Sequence, residues 1–240
     1  MRQPIGRGLQ HIQSWLPAAL HDPFTRWCNG VHHREPLTVP GFLSMRRFEL
    51  APGQDPDAAG YLTVYQLADV DVVDSEANRV RPPTAEPIPP EVAAALQFVR
   101  TIYRQMSPPQ GWWGPAGPVD TDQAIGAAVA QVLLDVEPDA EADLNAWYDE
   151  VHLDVMLAVP GVLSARRFVD RDWAGPSAAG GRSQYVTLYE LDDAAVATSP
   201  EFAEATTYGS RRRVLDPRVR SRRLVYRQVF PGSGPLLPGM

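Results

Sequence analysis

The sequence predicts an α+β fold in which two tandem ferredoxin-like modules, each with the element order β-α-β-β-α-β, pack sheet against sheet as one eight-stranded α/β barrel. Three observations support this prediction: an internal repeat, the order of strand and helix patterns within each copy, and the sheet face that a single copy would leave bare. Because both halves belong to one chain, we expect the barrel to close as an intramolecular, pseudo-dimeric unit.

The repeat is clearest between residues 27–48 and 147–168, which match without a gap at twelve of twenty-two positions. Both segments contain tryptophan, histidine, Val-Pro-Gly and Arg-Arg-Phe at the same spacing. YLTVYQL and YVTLYEL, and later YRQMSP and YRQVFP, continue the match at a slightly larger offset. The predicted organisation is a first module at 1–108, a Pro/Gly/Trp linker at 109–121, a second module at 122–231 and a tail at 232–240.

The second copy shows the order of elements most clearly. Apolar runs of strand length alternate with helical spacing, Pro160-Gly161 ends the first helix, and Ser199-Pro200 opens a second, shorter one. The predicted strands are 128–136, 162–169, 183–191 and 222–230, and the predicted helices are 139–157 and 199–209. One such module carries both helices on one face of its sheet, so a second module must cover the other face.

Composition limits the function. The formal net charge of −7 argues against nucleic-acid or anionic-membrane partners, and no apolar run reaches the length of about 18 residues that a membrane span needs. The N-terminal run WLPAAL is too short for a signal peptide, so we expect a cytoplasmic protein. Cys28 is the only cysteine and the chain has no lysine, which excludes intramolecular disulfides, Schiff-base chemistry and P-loop chemistry.

Alternation along the strands suggests which side chains enter the barrel. On the third strand of each copy we assign the aliphatic residues to the helix side, which sends Tyr61, Tyr65, Tyr185 and Tyr189 inside. On the first strand of the second copy, Gln131, Leu133 and Asp135 are expected inside, and their counterparts in the first copy are His11, Gln13 and Trp15. An interior this polar suggests a chamber for one small ligand rather than a purely structural core.

The pattern WYDEVHLDVMLAVPGVLSARRF, followed by YVTLYEL and SPEF, resembles the dimeric α/β-barrel superfamily and, within it, the EthD-like proteins. The superfamily includes polyketide cyclases, cofactor-free quinone-forming monooxygenases, muconolactone isomerases and haem-dependent peroxidases. Val151 precedes His152 where an acidic residue is common in the family, and the glycine-acid-glycine signature of the haem peroxidases is absent. The resemblance therefore implies a fused barrel without haem, and we expect neither a cofactor nor a metal.

Five residues are candidates for catalysis: His11, His32, Asp135, His152 and Tyr189. The histidines suit general-base chemistry near neutral pH, an enclosed carboxyl group suits an acid or base, and a tyrosine can donate to a carbonyl or enolate. The alternatives are that His32 and His152 cap helix ends, that Asp135 lies at a wet strand end, and that the tyrosines only pack. The candidates for substrate binding are Gln13, Trp15, Tyr61, Tyr65, Gln131 and Tyr185.

These features predict an enzyme that acts on a small apolar aromatic or polyketide-type molecule by acid-base chemistry, such as cyclisation or isomerisation in secondary metabolism. A cofactor-free monooxygenase acting on a phenol is the alternative, and a non-catalytic ligand-binding or assembly protein is the third hypothesis. The sequence does not determine which residue of Arg46-Arg47 or Arg166-Arg167 faces the interior. It also leaves open whether the closed barrel forms a further homodimer.

Overall fold

The structure is a computed structural model that describes residues 1–82, 85–175, 182–208 and 216–240. The last residue of the helix predicted over 199–209 lies outside the described residues. Within the described ranges, no helix is long and apolar enough to cross a membrane.

Eight antiparallel strands form a closed barrel, and each copy of the repeat contributes four of them. They are β1 (Gly8–Trp15), β2 (Phe42–Leu50), β3 (Tyr61–Leu67), β4 (Gln97–Ser107), β5 (Ala128–Val136), β6 (Val162–Asp170), β7 (Tyr185–Leu191) and β8 (Val219–Phe230). The order around the barrel is β7-β5-β8-β2-β3-β1-β4-β6, and β6 pairs with β7 to close the ring. The predicted fold class is confirmed.

The two copies join along two equivalent seams, where β2 pairs with β8 and β4 pairs with β6. Short strands reinforce this closure. Arg2–Gln3 pairs with Gln123–Ala124, and the segment between the modules forms a hairpin of Trp112–Gly114 and Gly117–Val119 that adds to β6.

Helices cover the outside of the barrel. They are α1 (His21–Gly30), α2 (Glu76–Arg79), α3 (Pro90–Ala95), α4 (Pro138–Trp147), α5 (Leu153–Leu157) and α6 (Pro200–Thr207). The two copies differ most at their first helix. In the second copy a π-helical turn at Tyr148–His152 joins α4 to α5, whereas in the first copy α1 ends at Gly30 and 3₁₀ turns follow at His32–Arg34 and Pro36–Thr38. Pro36 has no N–H to donate, so an α-helix cannot continue there.

Packed side chains fill the barrel interior. The central cluster contains Leu9, Phe48, Leu62, Val64, Tyr103, Val129, Leu133, Phe168, Val186, Leu188, Leu224 and Tyr226. The cavity left inside has a volume of about 10 Å³, which is room for about one water molecule. Among the described residues the interior therefore leaves no chamber for a substrate, and two larger cavities lie between the sheet and the helices.

Candidate functional site

His11 lies at the centre of the barrel, as its strand position predicted. Its Nε2 is 2.5 Å from Oε1 of Gln131, and its ring meets the edge of Tyr103 at a centroid distance of 5.6 Å. His11 and Gln131 are equivalent positions of the repeat, so their contact marks the local twofold axis; Gln3 and Gln123 meet in the same way. Burial lowers the pKa of His11 to about 4. His11 is a neutral core histidine, and it lines neither of the two larger cavities that the described residues form.

The other residues expected at the two ends of the interior do not converge on His11. Gln13 is fully buried in the filled core. Trp15 is partly exposed at the end of β1, where its Nε1 donates to the Asp57 carbonyl at 3.2 Å. Asp135 is also partly exposed, and its Oδ1 accepts from the backbone N–H of Gln184 at 2.9 Å. Asp135 thus lies at the wet end of its strand.

The assignment of four tyrosines to the interior was wrong. Tyr185 and Tyr189 pack in the cluster that contains the residues of α4 and α5, and Tyr61 and Tyr65 also belong to clusters outside the barrel core. The register gives the physical reason. Tyr189 lies opposite Ala130 on the neighbouring strand, and directly opposed residues of an antiparallel pair share a face. Ala130 faces the helices, so Tyr189 does too.

The structure shows which arginine of each Arg-Arg pair faces the barrel interior. Arg46 and Arg166 point into the barrel, where Arg46 pairs with Glu190 at 2.7 Å and Arg166 donates to Oε1 of Gln66 at 2.6 Å. Each of these arginines therefore binds a residue of the other module. Arg47 and Arg167 point to the helix side, and each guanidinium lies 4.0 Å from the centroid of a tyrosine ring.

The first module contains a cavity of about 310 Å³ between its sheet and α1, which we call the N-terminal cavity. Its floor is the outer face of β1 and β3, its wall is α1 with the two 3₁₀ turns that follow, and its mouth lies beside β4. The residues of the floor and wall are Gln10, Ile12, Ser14, Phe24, Trp27, Cys28, His32, His33, Pro36, Phe42, Thr63 and Tyr65, and those towards the mouth are Arg81, Ile88, Leu96, Phe98 and Arg100. A volume of this size suits a small molecule.

His33 and Tyr65 form a hydrogen-bonded pair in this cavity. Nδ1 of His33 lies 3.0 Å from the Tyr65 hydroxyl, while Nε2 of His33 is buried without a hydrogen-bond partner. Burial lowers the pKa of His33 well below its ordinary value, with smaller contributions from His32 and Arg47, and burial raises the pKa of Tyr65 far above its ordinary value. Both side chains are therefore neutral at physiological pH, and one imidazole nitrogen is left without a hydrogen-bond partner.

Sequence reasoning did not select His33. The signal was present, however: the first copy reads His32-His33 where the second reads His152-Leu153. Leu153 is an ordinary buried apolar residue, so the histidine at this position distinguishes the two modules.

His32 and Cys28 line the same cavity in different roles. The His32 ring stacks on Trp27 at a centroid distance of 4.4 Å, and its Nδ1 is 3.8 Å from Oε2 of Glu35. Burial lowers the pKa of His32. Burial also raises the pKa of Cys28 to about 12, so this thiol stays protonated and is a poor nucleophile. Within the described part of the chain, no three His, Cys, Asp or Glu side chains are grouped to hold a metal ion.

The second module has a cavity of about 270 Å³ in the equivalent place, which we call the C-terminal cavity. Its lining includes Trp147, Tyr148 and His152, and the His152 ring stacks on Trp147 at 4.3 Å just as His32 stacks on Trp27. Burial, with the charge of Arg167, lowers the pKa of His152 to about 4. The described lining of this cavity contains no counterpart of the His33–Tyr65 pair. The Tyr189 hydroxyl has no hydrogen-bond partner among the described residues.

Comparisons with known proteins bear on the fold. No family model matches the sequence, and a comparison with curated protein sequences finds no match. Solved structures do match over nearly the whole chain. An anthrone oxidase-like protein superposes with a TM-score of 0.62 at 11% identity, covering 97% of this chain and 93% of its own. A candidate monooxygenase from Fusobacterium nucleatum gives 0.51 at 12% identity, covering 98% and 96%.

A mutant chlorite dismutase from Candidatus Nitrospira defluvii gives a TM-score of 0.56 at 9% identity, covering 94% of this chain and 92% of its own. At such low sequence identities, these structural similarities indicate the fold of this chain and do not indicate a reaction. This chain has the dimeric α/β-barrel fold, with both halves of the barrel supplied by one polypeptide.

Proposed function

We propose that this protein is a cofactor-independent enzyme that moves a proton on a small aromatic or polyketide-type molecule, with His33 as the acid-base residue and Tyr65 as its partner. One observation carries the proposal: His33, which is hydrogen-bonded to Tyr65 through Nδ1 and has a buried Nε2 without a partner, lines a cavity of about 310 Å³. An unsatisfied buried polar group costs about 1–3 kcal/mol, so such groups need an explanation, and a ligand that supplies the missing hydrogen bond is one.

The lining of the N-terminal cavity supports the substrate class. Aromatic rings surround it on several sides, from Phe24, Trp27, Phe42, Tyr65 and Phe98. Such rings favour stacked or edge-to-face contact with a flat aromatic ligand. The volume lies at the lower end of the range for small-molecule sites, so we expect a compact molecule of about two or three fused rings.

The His33–Tyr65 pair suggests how the proton moves. When Nδ1–H donates to the Tyr65 oxygen, Nε2 keeps its lone pair, and a substrate that reaches it can give up a proton from an acidic C–H or from a phenol. The imidazolium that forms keeps its Nδ1–H bond to Tyr65. Because burial disfavours the charged ring, it returns the proton readily. Return to a different atom of the substrate anion gives isomerisation, and attack of the anion on a carbonyl of the same molecule gives cyclisation.

Oxygenation is the second candidate, and the overall likeness to an anthrone oxidase-like protein and to a candidate monooxygenase favours it. Here the substrate anion reacts with O₂ instead of regaining its proton. For an aromatic ketone with a ring methylene, CH₂ and O₂ become C=O and H₂O, so the substrate is oxidised by four electrons and O₂ is fully reduced. Both candidates begin with the same deprotonation, which makes the resemblance to EthD-like proteins compatible with either.

The test uses anthrone as the probe, with absorbance and dissolved O₂ recorded together. Oxygen uptake equal to product formation supports oxygenation, whereas conversion of a cyclisable or isomerisable polyketide analogue without oxygen uptake supports acid-base catalysis alone. We expect His33→Leu, which copies Leu153 of the other module, to lower kcat by at least about 100-fold with little change in Tm.

His21→Asn is the matched control, because His21 belongs to the same module but does not line the cavity. Binding of the probes without any turnover would instead support a ligand carrier. Full activity in a folded H33L variant would reject the assignment of His33.

A further inference from the structure

The mouth of the N-terminal cavity carries positive charge. Arg81 and Arg100 both contribute to its lining, and none of the described residues that line it is Asp or Glu. Neither guanidinium makes a hydrogen bond or an ion pair with another described residue, although most other arginines of the barrel and its helices are engaged, such as Arg46 with Glu190. Two guanidinium groups without a partner among the described residues, at the mouth of one cavity, could together bind an anion.

The remaining titratable groups of the cavity do not cancel this charge. Burial lowers the pKa of His32 and His33, so both rings are neutral, and burial raises the pKa of Cys28 and Tyr65, so both stay protonated. Two charges act on the pKa of Tyr65: Arg81 opposes its rise, and the carboxylate of Glu35, which does not itself line the cavity, adds to it. Two guanidinium groups against the one neighbouring carboxylate leave the cavity mouth with a net positive charge, within a protein whose formal net charge is −7, so the mouth should attract anions.

One of the two arginines, Arg100, lies beside an exposed aromatic residue. Phe98 and Arg100 are two residues apart on β4, so they share its outer face, and Phe98 is 60% exposed. The described residues of the second module lack this combination. Its counterpart of Arg100 is Arg223, whose guanidinium already lies 5.4 Å from the centroid of the Phe202 ring, and its counterpart of Phe98 is Ser221.

We propose that the substrate is an aromatic carboxylate, held at the cavity mouth by Arg81 and Arg100 while its ring system extends towards His33. This inference rests on the proposed function in taking the N-terminal cavity as the reaction site. The binding of an anion at its mouth does not depend on the proposed function. The carboxylate fixes which end of the molecule enters first, and therefore which atom reaches Nε2 of His33.

The experiment compares two probes of similar shape, 2-naphthoate and the neutral 2-acetonaphthone, by isothermal titration calorimetry. We expect the full-length protein to bind naphthoate at least about 10-fold more tightly than the neutral probe at low salt, and to lose most of that preference at about 0.5 M NaCl. Arg81→Gln and Arg100→Gln should each weaken naphthoate binding by about 5- to 20-fold and leave acetonaphthone binding unchanged.

Two variants serve as controls. Arg104→Gln removes an exposed arginine of the same strand that does not line the cavity, and Arg223→Gln alters the C-terminal cavity; both should bind naphthoate as the unaltered protein does. Equal affinity for the two probes, or full naphthoate binding in R81Q and R100Q, would overturn the inference. If H33L keeps full turnover while R81Q and R100Q lose naphthoate, the proposed catalytic role fails and the anion site stands.

Discussion

The two arginines inside the barrel provide a sharp test of how the modules hold together. Arg46 pairs with Glu190 of the other module, and both side chains are at most 5% exposed. Arg166 occupies the equivalent place but meets Gln66 where Arg46 meets Glu190. The substitution Glu190→Gln would leave both guanidinium groups without a carboxylate.

The size of the effect follows from burial. Removing one partner of a buried ion pair costs about 3–5 kcal/mol, because the remaining charge stays desolvated. Arg46 would keep its hydrogen bonds to Oε1 of Gln228 and to the Gly126 carbonyl, so we expect a loss near the lower end, about 3 kcal/mol. For a chain of this length that corresponds to a fall in Tm of about 6–12 °C.

Because the two modules are equivalent, a second substitution should restore the stability that Glu190→Gln removes. Gln66→Glu gives Arg166 the carboxylate it lacks, and burial, which lowers the pKa of Arg166 to about 9, shows that its charged form is now penalised. Q66E alone should raise the free energy of unfolding, and Q66E/E190Q should recover most of the loss in E190Q by moving the pair across the twofold axis. Urea unfolding measures all three. The reasoning is refuted if E190Q changes stability by less than about 0.5 kcal/mol, or if the double variant is no more stable than E190Q.

Three further predictions concern the packed core. Gly126→Ala would place a Cβ atom 1.7 Å from the Leu191 carbonyl oxygen, so denaturant unfolding should show a loss of at least about 3 kcal/mol; a loss below 1 kcal/mol would contradict the close approach. Cys28, with its pKa raised to about 12 by burial, should resist a disulfide reagent at pH 8 until the protein unfolds, and rapid labelling of the native state would disprove this. His11 titrates near pH 4 in the folded state, so protonation of the unfolded chain should lower stability by up to about 3 kcal/mol as pH falls from 6.5 to 4; His11→Gln should flatten that slope, and an unchanged slope would show that other groups cause it.

The sequence was sufficient to predict the barrel because the repeat supplies information that no single module contains. It was not sufficient to predict which face of each strand is inside. Alternation of polar and apolar residues distinguishes the two faces of a strand only when one face is exposed to solvent. All seven positions of β7 are buried. Polar character was a poor guide as well, since Arg46 enters the core with its partners while Arg47 lies under α1. Pairing register decides both cases, and register is a property of the folded chain.

The candidate site was only half predictable for a related reason. Comparing the copies emphasised what they share, such as the tryptophan-histidine stacks, and drew attention away from positions where they differ. Duplication within one chain lets one copy keep an ordinary core residue while the other acquires a reactive one. His33 is such a position, with Leu153 as its counterpart. The local change of backbone that accompanies it is the 3₁₀ turn that follows α1, where a π-helical turn follows α4.

Leu153→His tests whether the residue alone makes the pair or whether the backbone turn is also required. The variant loses the burial of a leucine, which costs about 2–3 kcal/mol, but it offers an imidazole to the unpartnered hydroxyl of Tyr189. If the side chain suffices, Tyr189→Phe should be more costly in the L153H background than in the unaltered protein, with a coupling of about 1 kcal/mol in a double-mutant cycle of unfolding free energies. A coupling near zero would mean that the 3₁₀ turn at His32–Arg34 is what aims the His33 ring at Tyr65, since the equivalent Leu153 begins a regular helix after a π-helical turn. In that case the site would have arisen from a change of backbone in one copy as much as from a change of side chain.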